Sequence, residues 1–301
     1  PKNFSADDLM ELRLFLFEEY KYVSKYPSLY EEIRERCIPS KGRAQNTVAI
    51  KLRMLQAFYT ELEDRDEIDV SPFRKLGRNR RKVVMKESYD QPIYLLQEEF
   101  LTVMKTEVPE TLQETKDVFL LQCAFGSRIE DFKSLNMDKI GVNIDGIPYI
   151  HYLPQKTLKN NEHKEEIEIP IMKYALEIIK KWEFKFPILK YVTGKSGYNV
   201  KIRKLLEYCK IDRDVKIFDK DSASNIYKPL YTMGSSKLCR KTHLDMLTKV
   251  QVNMYISGHH KEGSNAVKHY SSLSLKDRFI LMCAAYEQPL YKVDKKLNVI
   301  G

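Results

Sequence analysis

The chain has 301 residues, 43% of them hydrophobic, so it can form two domains or one large one and is not a disordered protein. Its net charge of +9 favours a polyanionic partner, nucleic acid ahead of an acidic membrane. Five widely spaced cysteines disfavour a disulfide framework or a metal cluster, and no run approaches the roughly 18 apolar residues of a membrane span. We therefore expect a cytoplasmic protein with reduced thiols. Because the sequence opens on Pro1 rather than Met, we also expect the natural chain to begin earlier.

Two amphipathic helices are predicted at the start of the chain. Leucines and other apolar residues recur at three- and four-residue steps from residue 5 to 37, and Ser5 with Asp8 supplies an N-terminal cap. After a break at residues 41–43, a second helix is predicted from about Thr47. Its apolar stripe comprises Val48, Leu52, Leu55, Phe58 or Tyr59, and Leu62. Lys51 and Arg53 lie off that stripe and are candidates for phosphate contacts, although a solvated basic face has the same pattern.

A basic segment follows these helices. From Arg74 to Lys86 the sequence has seven basic residues and no acid, which suits a linker lying along DNA because each neutralised phosphate releases counterions. Its candidate DNA contacts are Arg78, Arg80, Arg81 and Lys82. We place a domain boundary here, with a helical domain at 1–90, whose linker is 74–90, and a second domain at 91–301.

The second domain is predicted to be mainly α-helical with a small antiparallel β-sheet. A helix at 95–104 precedes one at 115–125 that is apolar almost all round and should be buried. Strands are predicted at 146–153 and 165–171, the second with clean apolar alternation. Amphipathic helices are predicted at 172–184, 198–210 and 273–286.

Six residues in this domain occur in an order typical of one enzyme family. The Phe125–Asp131 segment carries Arg128 with Asp131 one turn later, and Lys156 follows the first predicted strand. Arg240 lies thirty residues before Tyr270, with Lys237 three residues ahead of it. The Gly258-His259-His260 sequence lies between Arg240 and Tyr270. Together these boxes resemble the catalytic domain of the tyrosine recombinase (phage integrase) family, and the N-terminal helices resemble its core-binding domain.

The resemblance implies that the chain cleaves and rejoins DNA through a 3′-phosphotyrosine, with no metal or other cofactor. Arg128 and Arg240 would hold the scissile phosphate, Asp131 would support Arg128, and Tyr270 would be the nucleophile. Lys156 would protonate the leaving 5′-oxygen, with Lys159 and Lys164 as competitors in the same hairpin. Lys237 replaces the histidine that is usual at its position. Adjacency to glycine favours His259 as the family's histidine, whereas the ten-residue step to Tyr270 favours His260.

The same resemblance implies a bacterial, nucleoid-associated recombinase of a mobile element or prophage. Its partners would be double-stranded DNA, further copies of the chain in a tetramer on the synapse, and accessory DNA-bending proteins, with no membrane. Two alternatives remain open at this stage: a type IB topoisomerase-like enzyme, and an inactive DNA-binding protein of the same fold. His243 is predicted to be structural, and Tyr255 and Tyr286 are the nearest rivals of Tyr270. In relatives the terminal helix often packs on a neighbouring protomer.

Overall fold

The computed structural model describes residues 4–78, 92–155, 166–194, 197–219, 224–250 and 273–300. Its contacts divide the chain into two compact units, Pro1–Asp90 with Phe218–Ser224, and Gln91–Ile217 with Asn225–Gly301. Among the described residues, no helix is long and apolar enough to cross a membrane.

The first unit begins with helix α1, Ala6–Lys25. Its predicted cap is confirmed, because the Asp8 amide donates to Ser5 Oγ at 3.2 Å and the Ser5 amide donates to Asp8 Oδ2 at 2.6 Å. The prediction of one helix through residue 37 is wrong. Pro27 disfavours the α conformation at the residue before it, and Tyr26 accordingly leaves the helix at φ −133° and ψ 63°. Two short 3₁₀ turns follow, Pro27–Tyr30 and Glu35–Cys37.

Helix α2, Gln45–Asp64, packs on α1 through its predicted stripe. Tyr59 is the buried member of the Phe58/Tyr59 alternative, since Phe58 is 49% exposed. Lys51 and Arg53 are exposed, as expected from their positions off the stripe.

The start of the basic segment is folded. Helix α3, Pro72–Lys75, contains Arg74 and Lys75, and Ser71 caps it by accepting a hydrogen bond from the Phe73 amide at 3.3 Å. Phe73 and Leu76 are buried in the core of the first unit. Residues 74–76, at the start of the predicted linker, are therefore folded, because Phe73 and Leu76 on either side of Arg74 and Lys75 pack in that core. Residues 79–90 of the predicted linker lie outside the described residues.

The second unit is built around a buried helix. Helix α4, Gln97–Lys105, precedes helix α5, Glu110–Phe125, which starts earlier than predicted and is buried on almost every side. Gly126 ends α5 in the left-handed conformation, with φ 57° and ψ 16°. The short helix α6, Ile129–Lys133, follows directly.

A three-stranded antiparallel sheet covers part of this core. Strands β1 (Ile140–Val142), β2 (Pro148–Tyr152) and β3 (Ile167–Pro170) are adjacent in that order, with Ile150 opposite both Ile140 and Ile169. The strands predicted at 146–153 and 165–171 correspond to β2 and β3, whereas β1 has no alternation long enough to predict it. A two-stranded sheet of β4 (Asp214–Asp219) and β5 (Ser224–Pro229) was also not predicted.

The remaining helices are α7 (Lys173–Trp182), α8 (Tyr198–Tyr208), α9 (Ser236–Val250) and α10 (Leu275–Ala285). Helix α9 packs on α5 and α10, and α10 also packs on β3. The terminal helix therefore packs against elements of its own chain. Beyond it, the Tyr291 hydroxyl donates to the carbonyl of Ile171 at 2.7 Å, and the Val293 amide donates to the carbonyl of Gly146 at 2.8 Å.

Candidate active site

An open cleft of about 850 Å³ lies where the C-terminal end of α5, the helix α6, the end of β2 and the start of α9 meet. Its lining includes four of the predicted site residues, Arg128, Asp131, Lys237 and Arg240, which are up to 112 positions apart in the sequence (240 − 128). The other lining residues are Ser127, Ile129, Glu130, Gln155, Ser236, Lys241 and Leu244.

The sequence pattern suggested that Arg128 lies inside a helix. It lies instead just ahead of helix α6. Because Gly126 ends α5 and α6 begins at Ile129, Arg128 occupies the N-cap position with an extended backbone, φ −67° and ψ 152°. Its carbonyl accepts the Phe132 amide at 2.8 Å. The guanidinium is thus held at a helix terminus and not along a helix side.

Asp131 links two parts of the cleft. Its carboxylate is 3% exposed, with Oδ2 3.9 Å from Arg128 Nη1 and Oδ1 accepting the Gln155 amide at 2.9 Å. A buried carboxylate needs such partners, because an unpaired charge is costly to desolvate. Asp131 therefore fixes the backbone immediately before Lys156 relative to the arginine turn.

Arg240 projects from α9 and donates from Nη1 to the carbonyl of Gly126 at 2.8 Å. Burial, and to a smaller extent the positive charge of Arg128, lower the pKa of Arg240 from its ordinary value. Guanidinium groups nevertheless stay charged in proteins. The two arginines therefore present two positive charges to one cleft.

Lys237 is exposed one turn before Arg240 on the same helix, at the edge of the cleft. Lys241, the next residue after Arg240, also lines it and was missed by the sequence analysis. Its position beside Arg240 was the available signal. Ser127 and Gln155 were missed because they reach the cleft through turns, whose geometry a sequence pattern does not specify.

His243 has the structural role predicted for it. The ring is fully buried, and Nδ1 lies 2.9 Å from the carbonyl of Cys123 and 3.1 Å from the Tyr286 hydroxyl. Burial lowers the pKa of His243 to about 3, so the imidazole is neutral at neutral pH. It is not placed to transfer protons in the cleft.

Tyr286 is excluded as a rival nucleophile. Its hydroxyl donates to the Cys123 carbonyl at 2.8 Å and the residue is fully buried. Burial raises the pKa of Tyr286 well above the usual value, which disfavours the phenolate needed for attack. Tyr255 lies outside the described residues.

Several predicted site residues also lie outside the described part of the chain. They are Lys156, Lys159, Lys164, His259, His260, Tyr270, Arg80, Arg81 and Lys82. Of the remaining candidates for DNA binding, Lys51, Arg53 and Arg78 are exposed in the first unit. Within the described ranges, no group of histidine, cysteine and carboxylate side chains is arranged to hold a metal ion.

The charges in the cleft are unbalanced. The described lining has four basic residues, Arg128, Lys237, Arg240 and Lys241, against the acids Glu130 and Asp131. Glu130 lies 3.5 Å from Lys133, which offsets part of its charge. Two guanidinium groups that face one space suit an oxyanion with several acceptor oxygens, because each can donate charge-assisted hydrogen bonds. Fold and cleft together define a mainly helical protein with a positively charged cleft lined by α6 and α9.

Comparison with the sequences of known proteins gives a partial match. No protein-family model matches the chain. It is 24% identical over 145 residues to the tyrosine recombinase XerC of Staphylococcus carnosus (strain TM300), a match that covers 47% of this chain and 46% of the relative. The chain therefore spans about half the length of the curated relative that it matches.

The fold is also similar to that of a solved integrase structure. The Tn1549 transposon integrase (residues 82–397), in complex with circular intermediate DNA, has a TM-score of 0.50 at 15% identity, covering 93% of this chain and 85% of that one. The integrase of mycobacterium phage Brujita has a TM-score of 0.40 at 12% identity, covering 85% and 77%. The chain has the fold of the transposon integrase, and over about half of its length it is similar in sequence to a tyrosine recombinase.

Proposed function

We propose that this chain is a site-specific tyrosine recombinase that breaks and rejoins DNA. The observation that carries the proposal is the pair Arg128 and Arg240, which α6 and α9 bring to one cleft with Lys237 at its edge. A phosphodiester is an anion, and attack on it builds further negative charge on its non-bridging oxygens. Two fixed guanidinium groups stabilise that charge by charge-assisted hydrogen bonds.

The proposed reaction is an exchange of esters at phosphorus. The Tyr270 hydroxyl gives its proton to solvent water and its oxygen attacks the phosphorus, so that the bond to the 5′-oxygen breaks and a 3′-phosphotyrosine forms. Lys156 gives its proton to the departing 5′-oxygen. Arg128 and Arg240 bind the non-bridging oxygens throughout. Since the phosphotyrosine keeps the energy of the ester bond, the reverse attack by a 5′-hydroxyl rejoins the strand without a nucleotide cofactor.

The proposed role of Asp131 is to keep Arg128 and the Lys156 segment in register. Its two carboxylate oxygens face these two partners separately, at 3.9 Å and 2.9 Å. Lys237 or one histidine of the His259–His260 pair would complete the set of donors around the phosphate. The proposed set therefore combines four described side chains with residues outside the described ranges.

We further propose that the substrate is duplex DNA and that the reaction serves integration or excision of a mobile element or prophage in a bacterial cell. The relatives named above include a transposon integrase in complex with DNA. Strand exchange between two duplexes needs four active sites, which gives a tetramer of this chain on the synapse. Accessory DNA-bending proteins remain part of the proposal as helpers of synapsis.

A suicide substrate tests the chemistry directly. A duplex that carries a nick close to the cleavage site traps the covalent adduct, which is scored on a denaturing gel and mapped by peptide sequencing. We expect Tyr270→Phe to abolish the adduct and to leave DNA affinity within about threefold, because one hydroxyl hydrogen bond contributes about 0.5–1.5 kcal/mol. Tyr208→Phe, which alters a tyrosine 49% exposed on α8, is the matched control and should form adduct normally.

The outcomes separate the proposal from its two alternatives. DNA attached to another tyrosine, or an adduct formed by Tyr270→Phe, would remove Tyr270 from the mechanism. An adduct accompanied by plasmid relaxation, with no exchange between paired sites, would identify a type IB topoisomerase-like enzyme. DNA binding with no adduct on any nicked substrate would leave a binding protein of the same fold.

A further inference from the structure

The turn between α5 and α6 is held from inside the core by buried polar side chains. Gln122 donates from Nε2 to the carbonyl of Ser127 at 3.4 Å and accepts the Tyr198 hydroxyl at Oε1 at 3.3 Å. Gln122, Ser127 and Tyr198 are all fully buried. The turn that ends in Arg128 is therefore connected to α8 through one amide side chain.

The same turn is fixed on its other side by α9. Its first residue, Gly126, gives its carbonyl to Arg240, and the imidazole of His243 packs directly against its Cα. A Cβ at position 126 would lie 2.6 Å from Cγ of that ring, which is a collision. The turn therefore carries Arg128 and accepts a hydrogen bond from Arg240. The ring of His243 leaves it little room to move.

We propose that Gln122 and Tyr198 are positioning residues for the arginine pair, acting through the carbonyl of Ser127. They do not touch the phosphate. Their effect is to fix the peptide that precedes Arg128, so that its guanidinium and that of Arg240 meet the same phosphate in one geometry. This inference rests on the proposed function, which supplies the phosphate.

The location of these groups argues for positioning and against a general contribution to the core. A buried amide and a buried phenol are costly to desolvate, and apolar residues of similar volume fill a core at least as well. Here the hydrogen bonds lead to one carbonyl, and that carbonyl belongs to the residue before Arg128. The polar connection therefore ends at the peptide next to Arg128.

Catalysis is sensitive to this kind of placement. Displacing a catalytic group by about 1 Å is enough to lower a rate about a hundredfold. A single buried hydrogen bond, in contrast, changes folding stability only modestly. Loss of the connection should consequently be seen in the rate of cleavage before it is seen in stability or in DNA affinity.

The experiment compares Gln122→Met, Tyr198→Phe and the double variant with the wild type. Methionine and phenylalanine keep the approximate volume and remove the hydrogen bonds. The measurements are the rate of adduct formation with saturating suicide substrate, DNA affinity, and thermal stability, all well below the melting temperature. Thr115→Val is the matched control, because Thr115 is a fully buried polar residue about two turns earlier on the same helix and outside the cleft.

We expect Gln122→Met and the double variant to form adduct about a hundredfold more slowly, with DNA affinity within about threefold. The double variant should be more stable than Gln122→Met and yet be no faster, because the added Tyr198→Phe change removes the hydroxyl that would otherwise lack its glutamine partner. Thr115→Val should cleave at the wild-type rate. Rates that follow stability across the series, or rates equal to wild type, would overturn the positioning role.

A second measurement keeps this inference separate from the proposed function. Inorganic phosphate is titrated against the full chain while the side-chain NMR signals of Arg128 and Arg240 are followed. The network variants should bind phosphate at least about tenfold more weakly than wild type and Thr115→Val, in line with the loss of charge-assisted hydrogen bonds. If the wild type forms no adduct, the proposed function fails. Equal phosphate binding by all variants would then reject the positioning role on its own.

Discussion

The two ends of helix α5 differ in how the charges near them are matched. In its first half, the buried Asp117 accepts from Gln113 Nε2 at 2.8 Å, Lys181 Nζ at 2.7 Å and Trp182 Nε1 at 2.8 Å. Lys116 beside it donates to the carbonyl of Thr106 at 2.6 Å. At the other end, Arg128 and Arg240 face one cleft, where, among the described residues, the ion pair of Arg128 with Asp131 is long, at 3.9 Å.

The difference between these clusters separates structural from functional charge. The first cluster is complete within the protein, because each charge has short hydrogen bonds to groups that the fold supplies. The second keeps two cations close together at an electrostatic cost, and an anion bound between them would remove that cost. Both clusters are visible in sequence only as scattered charged residues, and it is their balance in space that distinguishes them.

The largest effect is expected for the arginine pair at the C-terminal end of α5. Arg128→Lys and Arg240→Lys should each lower the rate of adduct formation about a hundredfold to a thousandfold, the loss typical of one preorganised donor, because lysine keeps the charge and loses the planar fork. The rate is measured in a single turnover with the suicide substrate.

Arg213 provides the matched control for these two substitutions. It is a charge-balanced arginine, with hydrogen bonds to both carboxylate oxygens of Glu99 at 2.8 and 3.1 Å. Arg213→Lys should affect stability and leave the rate unchanged. A wild-type rate for either cleft variant would show that this arginine is not part of the site. It would also contradict the proposed difference between the two ends of α5.

A substitution at Asp117, in the first half of α5, should change stability and leave the cleavage rate unchanged. Asp117→Ala removes the acceptor of three hydrogen bonds and should lower the free energy of unfolding by about 2 kcal/mol, with no change in the cleavage rate at temperatures where the protein is folded. Chemical denaturation measures the first quantity and the adduct assay the second. Lys185→Ala, which breaks an exposed pair with Glu183, should change stability by less than about 1 kcal/mol. A slow but stable Asp117→Ala variant would contradict the division between the two clusters.

The smallest effect per residue is expected in the basic segment of the first unit, where the same distinction applies. Arg74 lies in helix α3, 3.0 Å from Glu63, whereas Arg78, further along the same acid-free run, follows that helix. Neutralising Arg78, Arg80, Arg81 and Lys82 together should reduce the salt dependence of DNA binding by about 0.9 in slope for each phosphate that is no longer neutralised. Arg74→Gln should change the slope by much less. Equal slopes for both variants would assign the run to solvated surface.

Periodicity predicted the elements that are long and amphipathic or uniformly apolar. The capping box at Ser5 and the burial of α5 followed from local rules that tertiary structure did not override. The end of α1 depended on a single proline, which a count of apolar spacing overlooks. Strands of three or six residues without clear alternation, such as β1 and β4, could not be predicted because their pairing partners determine them.

Four residues of the candidate site were predicted from the sequence, and their geometry was not. Arg128, Asp131, Lys237 and Arg240 were identified from spacing and resemblance, and the fold brings all four to one cleft. Their spacing did not indicate that Arg128 precedes its helix, since that depends on the left-handed conformation of Gly126. The connection through Gln122 and Tyr198 had no sequence signal, because an isolated glutamine in an apolar helix is compatible with many environments. The identity of the nucleophile stays a prediction from the sequence.

The contact between Gly126 and His243 has a consequence for how sequences of this kind can diverge. The imidazole occupies the volume that any side chain at position 126 would need, and a backbone φ of 57° restricts that position further. The two positions, on different elements and 117 residues apart (243 − 126), therefore form a single steric unit. Across homologues we expect them to covary, with a bulkier ring at 243 only where 126 is glycine, and a library randomised at both positions should recover compatible pairs and few independent substitutions.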